Sequence, residues 1–546
     1  MFSYTSRFAL SQAGSTANSS FVAFGTDLSQ EPAFLEGELN NSRAFAMSML
    51  VLGEIVRTDD NTEGPDRTAY QAWVNNEYLK ELPHAFIEAQ KKLPSLLEQK
   101  SNLGAILKAK GEKVAALRAK ISISKRRYYD WLYSTNREMW LVLDPIVSVQ
   151  KNATYFEAFS RDESVYARVT LPHTALKMST QPTLGTTNID FSVPLEREFS
   201  RARSYRPLTL AVGQQSVALG TESSGIVEKK IDLPESWVRG LVEVQAALPL
   251  TQHTFDIDPL LLSAVLAQLE SKKERRGPRA LRVVAKNGET VKAVLEPWGV
   301  SLPLTLTPWS GKQDFDIKVW GRRRLRALMP VLPNATHVTV SLIADGMPTF
   351  WSITIGEIDL TLGLSGWTSQ DWASKARFSA LAPTSSVTQE MTAKALGALK
   401  NLTCASPQIF AVELGVKPAI ASTYLQKLTL IGAAMYDRNT GQYLHRQLFP
   451  QLDLTRNDDS SREERFGVSL SNESAVVISS TLRVRDIKEY RAVVSSAKES
   501  NAVVIAKDED LRVTYAQCNC SFFNFNKLKL GPCRHIVATS LAVDSL

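Results

Sequence analysis

The chain has 546 residues, 44% of them hydrophobic and 22% charged, a composition that excludes a disordered majority and suits a globular protein. That length is too great for one core and calls for three or four domains. The net charge of +7 is too mild to argue for nucleic acid by itself, and neither a long apolar leader nor an apolar run of about eighteen residues occurs, so a cytoplasmic protein without membrane contact is expected.

Residues 1–140 read as a helical N-terminal region. The run Ala44 to Val56 is apolar enough for a buried helix, and Arg57 to Arg67, with Gly64 and Pro65, reads as a loop. From Tyr70 to Trp140 the pattern is helical, interrupted at Pro83 and Pro94. Leu96, Leu103, Ile106, Leu107, Val114, Leu117 and Ile121 fall on one stripe, which predicts a helical hairpin or short coiled coil. Between Lys91 and Arg127 eleven Lys or Arg face only Glu98 and Glu112. Lys108, Lys110 and Lys113 lie off the apolar stripe, as phosphate-contact candidates or as a solvated face.

Residues 141–384 shift to β-branched strands punctuated by Pro and Gly, an α+β region with room for two lobes divided near Gly277. Strands are expected at Ser164 to Leu171, Leu208 to Val212, Leu281 to Ala285, Val291 to Leu295, His337 to Leu342 and Phe350 to Ile355. Helices are expected at Leu233 to Leu248, Pro259 to Lys272 and Arg322 to Met329. The basic clusters from Lys272 to Arg276 and from Arg322 to Arg326 suit exposed turns. Glu157, Asp162, Glu163, Asp190 and Asp232 are scattered acids whose spacing puts no two on one face with a histidine, so caps and buried ion pairs are expected of them rather than catalysis.

Residues 385–452 form a separate module. Ser386 would cap a helix from Val387 to Asn401; Pro407 to Leu414 makes a second, ended by Gly415; and Pro418 opens a third, to Leu430. Strands Ala433 to Tyr436 and Gln442 to Arg446 then flank an Asn-Thr-Gly turn. Three helices and a hairpin in this order describe a winged helix, whose third helix would enter a major groove. Lys417, Ser422, Thr423, Gln426 and Lys427 would be its exposed candidates, with Arg438 and Arg446 near the wing.

A polar linker from Thr455 to Arg465 leads to residues 466–546, where strands at Ala475 to Leu482, Ala492 to Ser495, Ala502 to Ala506 and Leu511 to Ala516 precede a cysteine cluster. Cys518, Cys520, Cys533 and His535 place three of four cysteines and one of six histidines within eighteen residues. Thiolates and a neutral imidazole are what Zn²⁺ selects, and four of them close a tetrahedron, leaving no position for activated water. One structural Zn²⁺ is therefore expected, on a short hairpin ending at Gly531-Pro532, with His535 in the first turn of the following helix. Phe522, Phe523 and Phe525 alternate with polar residues and with Lys527 and Lys529; Phe522 and Phe525 are expected to cover the metal, although basic residues among aromatics also suit stacking on bases. Cys404, in apolar surroundings, reads as a buried, inert thiol.

The order Cys-x-Cys, a twelve-residue spacer, Cys-x-His resembles the SWIM zinc finger, a module that binds zinc and mediates DNA or protein contacts. The resemblance implies Cys518, Cys520, Cys533 and His535 as ligands. The phrases Phe156 to Ser164, Thr187 to Ser192, Ile231 to Gly240, Leu295 to Gly299 and Leu362 to Thr368 are similar to those of a bacterial family of SWIM-containing proteins. That family is typically encoded beside a MoxR-type AAA ATPase and a protein with a von Willebrand factor A domain, and no catalytic residues are known for it. The expectation is thus an α+β multidomain chain acting as a non-enzymatic adaptor with those two partners, docking protein or nucleic acid. The alternative is a direct DNA-binding protein using the winged helix, the finger and the basic hairpin. No nucleotide-binding fingerprint occurs.

Overall fold

The computed structural model describes residues 12–15, 20–24, 33–58, 145–189, 193–205, 207–213, 235–250, 253–272, 280–311, 313–366, 371–372, 377–381, 388–448, 461–473, 475–484, 487–495, 499–509, 511–528 and 530–544. Met1–Glu63, Asp144–Glu274 and Arg279–Leu546 cluster as one compact unit. The basic hairpin expected between residues 70 and 140, with Lys108, Lys110 and Lys113, lies outside the described residues.

The chain is a mixed α/β multidomain assembly built on an eight-stranded sheet. Its strands lie in the spatial order His253–Ile257, His337–Leu342, Thr349–Ile355, Ile358–Leu364, Val165–Pro172, Ala153–Phe159, Ile146–Val149 and Gly185–Asn188. Every adjacent pair in it is antiparallel. The middle of this sheet is covered on both faces, so Ala153–Phe159 is buried at every position and shows none of the polar alternation that marks a strand in sequence. One cover is the helix Ser42–Arg57, capped by the Asn41 side chain at 3.0 Å from Ala44 N, whose Phe45 meets Phe156 edge-on at 5.6 Å. This is the helix expected from Ala44 to Val56.

Two expectations fail here. The start of the chain is not only helical: Gln12–Ser15, Ser20–Phe24 and Leu35–Leu39 join Leu208–Val212 and Leu176–Met178 in a five-stranded sheet, in which Gln12–Ser15 pairs with its neighbour Ser20–Phe24 while Ser20–Phe24 and Leu35–Leu39 find partners in the central region. Nor does Gly277 divide two lobes. The Ile358–Leu364 strand pairs with Val165–Pro172 across that point, so the large sheet draws on both sides. Residues 281–319 instead form their own antiparallel sheet, in the order Val300–Pro308, Thr290–Leu295, Leu281–Ala285, Phe315–Val319.

The basic cluster at Arg322–Leu328 is only half an exposed turn: Arg323 and Arg326 are exposed, Arg322 and Arg324 buried. Arg322 donates to Ala280 O at 2.8 Å, and Arg324 pairs with Asp162 at 3.0 Å, both side chains buried. Burial opposes ionisation of Asp162, but hydrogen bonds from Ser160 and Ser164 and the Arg324 guanidinium outweigh it and hold its carboxyl below the ordinary range. Glu163 accepts from Ser236 Oγ at 2.5 Å. Asp162 and Glu163 thus sit in hydrogen bonds and an ion pair, while Asp190 and Asp232 lie outside the described residues.

Residues 388–448 fold as Gln389–Leu402, Pro407–Leu414 and Pro418–Leu430, followed by the hairpin Ala434–Asp437 and Gln442–His445. Cys404–Ala405 adds a short third strand to that hairpin. Thr388, not Ser386, caps the first helix, at 3.3 Å from Met391 N. Ser406 caps the second, both later helices start on proline, and Gly415 closes the second at φ 69° in the left-handed region. Phe410, Tyr424, Leu425, Leu428 and Tyr443 lie in one apolar core. Cys404, half-buried, packs beside Ala153, Tyr155, Met435 and Leu444.

This module is fastened to the large sheet by charge. Arg446, 1% exposed, pairs at 2.6 Å with Glu157, 0% exposed, which also accepts from Tyr166 Oη at 2.5 Å. Arg168 lies 3.5 Å from Asp437, Gln150 donates to His445 O at 2.9 Å, and Gln245 accepts from Tyr436 N at 2.7 Å.

The last portion is a four-stranded antiparallel meander, Val476–Val484, Ile487–Ser495, Ser500–Lys507 and Val513–Cys518. One face is covered by the helix Arg534–Asp544, against which Arg462–Asn472 packs. A Cβ at Gly467 would stand 2.6 Å from Val537 Cβ and 2.8 Å from Arg534 O, so glycine permits the two helices their close approach. Among the described residues no helix is long and apolar enough to cross a membrane.

Candidate metal centre

The strand Val513–Cys518 ends on Cys518, and the chain turns through Asn519 to Cys520. Cys520 is the N-cap of a short helix, Ser521–Asn526, its Sγ accepting from Phe523 N at 3.4 Å. Here the expected hairpin between the cysteine pairs gives way to a helical turn, because a sulfur at the cap satisfies an otherwise orphaned amide. Gly531 takes φ 85°, and Cys533 then precedes the helix Arg534–Asp544, which carries His535 in its first turn as expected. Phe523 is buried beside Cys520, while Phe522 and Phe525, expected to cover the metal, are half-buried.

The three sulfurs and an imidazole nitrogen all lie within 4.8 Å of one another. Cys518, Cys520, Cys533 and His535 are 2%, 6%, 0% and 7% exposed. His535 turns Nδ1 toward Cys518 Sγ at 3.7 Å. A tetrahedral ion with bonds of about 2.3 Å to sulfur and about 2.0 Å to nitrogen separates those two atoms by about 3.5 Å, so the group fits one ion. Cys518 Sγ also accepts from Cys520 N at 3.5 Å.

Hydrogen bonds from Cys518 and then Cys533 hold the Cys520 thiol well below its ordinary range. The bond to Cys520 pushes Cys518 up, and bonds to Cys518 and Cys520 push Cys533 further up. Glu463 braces the site from outside, accepting from Arg534 Nε at 2.8 Å and Nη2 at 2.6 Å, while Arg534 lies over the Phe466 ring at 4.6 Å.

Among the described residues, those considered for nucleic acid differ widely in exposure. Lys417 is exposed at the start of the Pro418–Leu430 helix. Ser422, Thr423 and Gln426, expected on the open face of that helix, are 0%, 2% and 8% exposed. Helix Glu235–Ala247 packs there, Thr423 Oγ1 turns back to Ala419 O, and Gln426 Nε2 bonds Ser422 Oγ at 3.2 Å. Lys427 and Arg438 are half-buried, and burial, together with nearby Arg168, lowers the Arg438 pKa. Arg446, expected near the wing surface, is spent on Glu157. Lys527 is exposed, with Nζ 5.2 Å above the Phe523 ring, and Lys529 lies outside the described residues.

No family model matches the sequence, and no curated protein does. Among solved structures, the chain is similar to the proliferating cellular nuclear antigen from Entamoeba histolytica, at 12% identity over 44% of this chain and 93% of that one, with a TM-score of 0.27. It is also similar to a structure of the C-terminal region of FEN-1 bound to A. fulgidus PCNA, at 8% identity over 42% and 91%, with a TM-score of 0.29. Scores this low assign neither a fold nor an activity to this chain.

Proposed function

We propose that the chain is a non-enzymatic adaptor whose last domain is a SWIM-type finger held by one structural Zn²⁺, on Cys518, Cys520, Cys533 and His535. The closed ligand set supports a structural ion, since it leaves no coordination position for water or substrate. Residues 388–448 are read as a winged helix used for assembly rather than for reading DNA. The observation that carries this is the burial of Ser422, Thr423, Gln426 and Arg446, the side chains that a groove-reading helix and wing would have to expose. The phrases of the central region, through their resemblance, make a MoxR-type AAA ATPase and a von Willebrand factor A protein its partners, with the ATPase supplying energy.

Fluorescence anisotropy of the zinc-loaded full chain with labelled DNA and RNA across a salt series, beside co-purification with the two partners, tests the reading. Stable partner complexes with only nonspecific nucleic-acid affinity are expected. Submicromolar binding at physiological salt, with a slope of several phosphate contacts, would instead favour the direct DNA-binding alternative.

A further inference from the structure

We propose that Asn501 is the positioning residue of the metal centre, holding His535 so that Nδ1, and not the Nε2 common in zinc fingers, binds the ion. This rests on reading the cysteine cluster as a metal site. Asn501 lies on the strand Ser500–Lys507, outside the Cys-x-Cys and Cys-x-His motifs, and its side chain is buried. Its Nδ2 stands 3.3 Å from His535 Nε2, on the side of the ring away from the sulfurs, while Nδ1 faces Cys518 Sγ at 3.7 Å.

The ring's two nitrogens therefore have fixed and different neighbours. An imidazole that gives the Nδ1 lone pair to a cation carries its proton on Nε2, and a buried N–H needs an acceptor. The side chain bonded to Nε2 is the Asn501 amide. A half-turn of that amide exchanges Nδ2 for Oδ1 with almost no change in shape, so Nε2–H then donates to Oδ1 without repacking. Asparagine can serve as donor or acceptor at this point; leucine of similar volume can do neither. Outer partners of this kind orient a ligating ring and raise metal affinity, and Asn501 stands in that place for His535.

The test uses the full chain loaded with Zn²⁺, with histidine rings labelled by ¹⁵N. Long-range ¹H–¹⁵N spectra should give one ring of six with a metal-bound Nδ1 and a protonated Nε2, lost when His535→Ala is introduced. Chelator competition should show zinc held about 10–100-fold more weakly by Asn501→Leu, and at least as tightly as wild type by Asn501→Asp, which restores an acceptor. Ring nitrogens showing metal on Nε2, or equal zinc affinity in wild type and Asn501→Leu, would overturn the role of Asn501 and leave the metal reading intact. If Asn501→Leu does not fold, the wild-type spectra and the Asp variant decide alone. A wild type that takes up no stoichiometric zinc would overturn the metal reading itself, and this proposal with it.

Discussion

Residues 388–448 and 461–544 are small modules of comparable length whose interiors differ in kind. The first closes an apolar core around Phe410, Leu425 and Leu428 and is fastened to the large sheet by ions buried at both ends, Arg446 to Glu157 above all. The second has one sheet with one covered face; on the other, Val477 and Leu482 are 63% and 55% exposed. A module with half a core needs another source of cohesion. Here the buried cluster of Cys518, Cys520, Cys533 and His535 and the Lys507–Asp544 pair at 2.6 Å link the sheet to the last helix. The difference teaches that one chain can stabilise neighbouring modules by separate means, so that each fails separately.

The largest expected effect follows directly. Cys518→Ser with Cys533→Ser should abolish one equivalent of bound zinc, read by elemental analysis, and should make residues 475–544 protease-sensitive while 388–448 stays resistant. Structural zinc contributes on the order of 10 kcal/mol in small zinc modules. Digestion patterns identical to wild type would erase the proposed contrast.

Next comes the pair that fastens the first module. Arg446→Met leaves the buried Glu157 without its partner, at a cost of about 3–5 kcal/mol, seen as a lower urea midpoint. Adding Glu157→Gln should restore most of it. A single variant as stable as wild type would mean that the pair holds nothing.

Apolar truncation sharpens the contrast further. Leu428→Ala should cost about 2–5 kcal/mol, whereas Val477→Ala on the bare sheet face should change stability by less than about 0.5 kcal/mol. If both cost the same, the outer face of the sheet is covered in solution.

Acid gives the smallest effect. Asp162, depressed by its hydrogen bonds and by Arg324, contributes stability that is complete above its unfolded pKa of about 3.9 and is lost as pH falls through its lower folded value. Thermal melts between pH 5 and pH 2.5 should therefore fall less steeply in Asp162→Asn than in wild type, and parallel curves would remove Asp162 from the account.

The elements that proved legible are those marked by local chemistry. Pro407, Pro418 and Gly415 bound the helices where expected, and Leu208–Val212, Leu281–Ala285 and His337–Leu342 were readable from their β-branched residues. Cys518, Cys520, Cys533 and His535 were readable as one cluster, because all four fall within eighteen residues and their chemistry suits one ion. What escaped depends on distant partners. Arg446 and Glu157 are 289 positions apart, and nothing local tells a wing arginine from one bound for a buried carboxylate. Ser422, Thr423 and Gln426 look solvent-facing until another helix covers them. Ala153–Phe159 lacks alternation because both of its faces are covered. Asn501 gave no signal, since an amide 17 residues before Cys518 belongs to no motif; only pairing of adjacent strands brings it to the ring.

The closeness of the three sulfurs also sets a redox liability. Thiols all within 4.8 Å of one another, one of them favoured as the thiolate, are poised to attack a neighbour once any of them is oxidised to a sulfenic acid. A bound cation occupies those lone pairs and blocks that route. Chelation in air should thus be a one-way step that ends in an internal disulfide, while chelation under a thiol reductant should be reversed by adding the metal back.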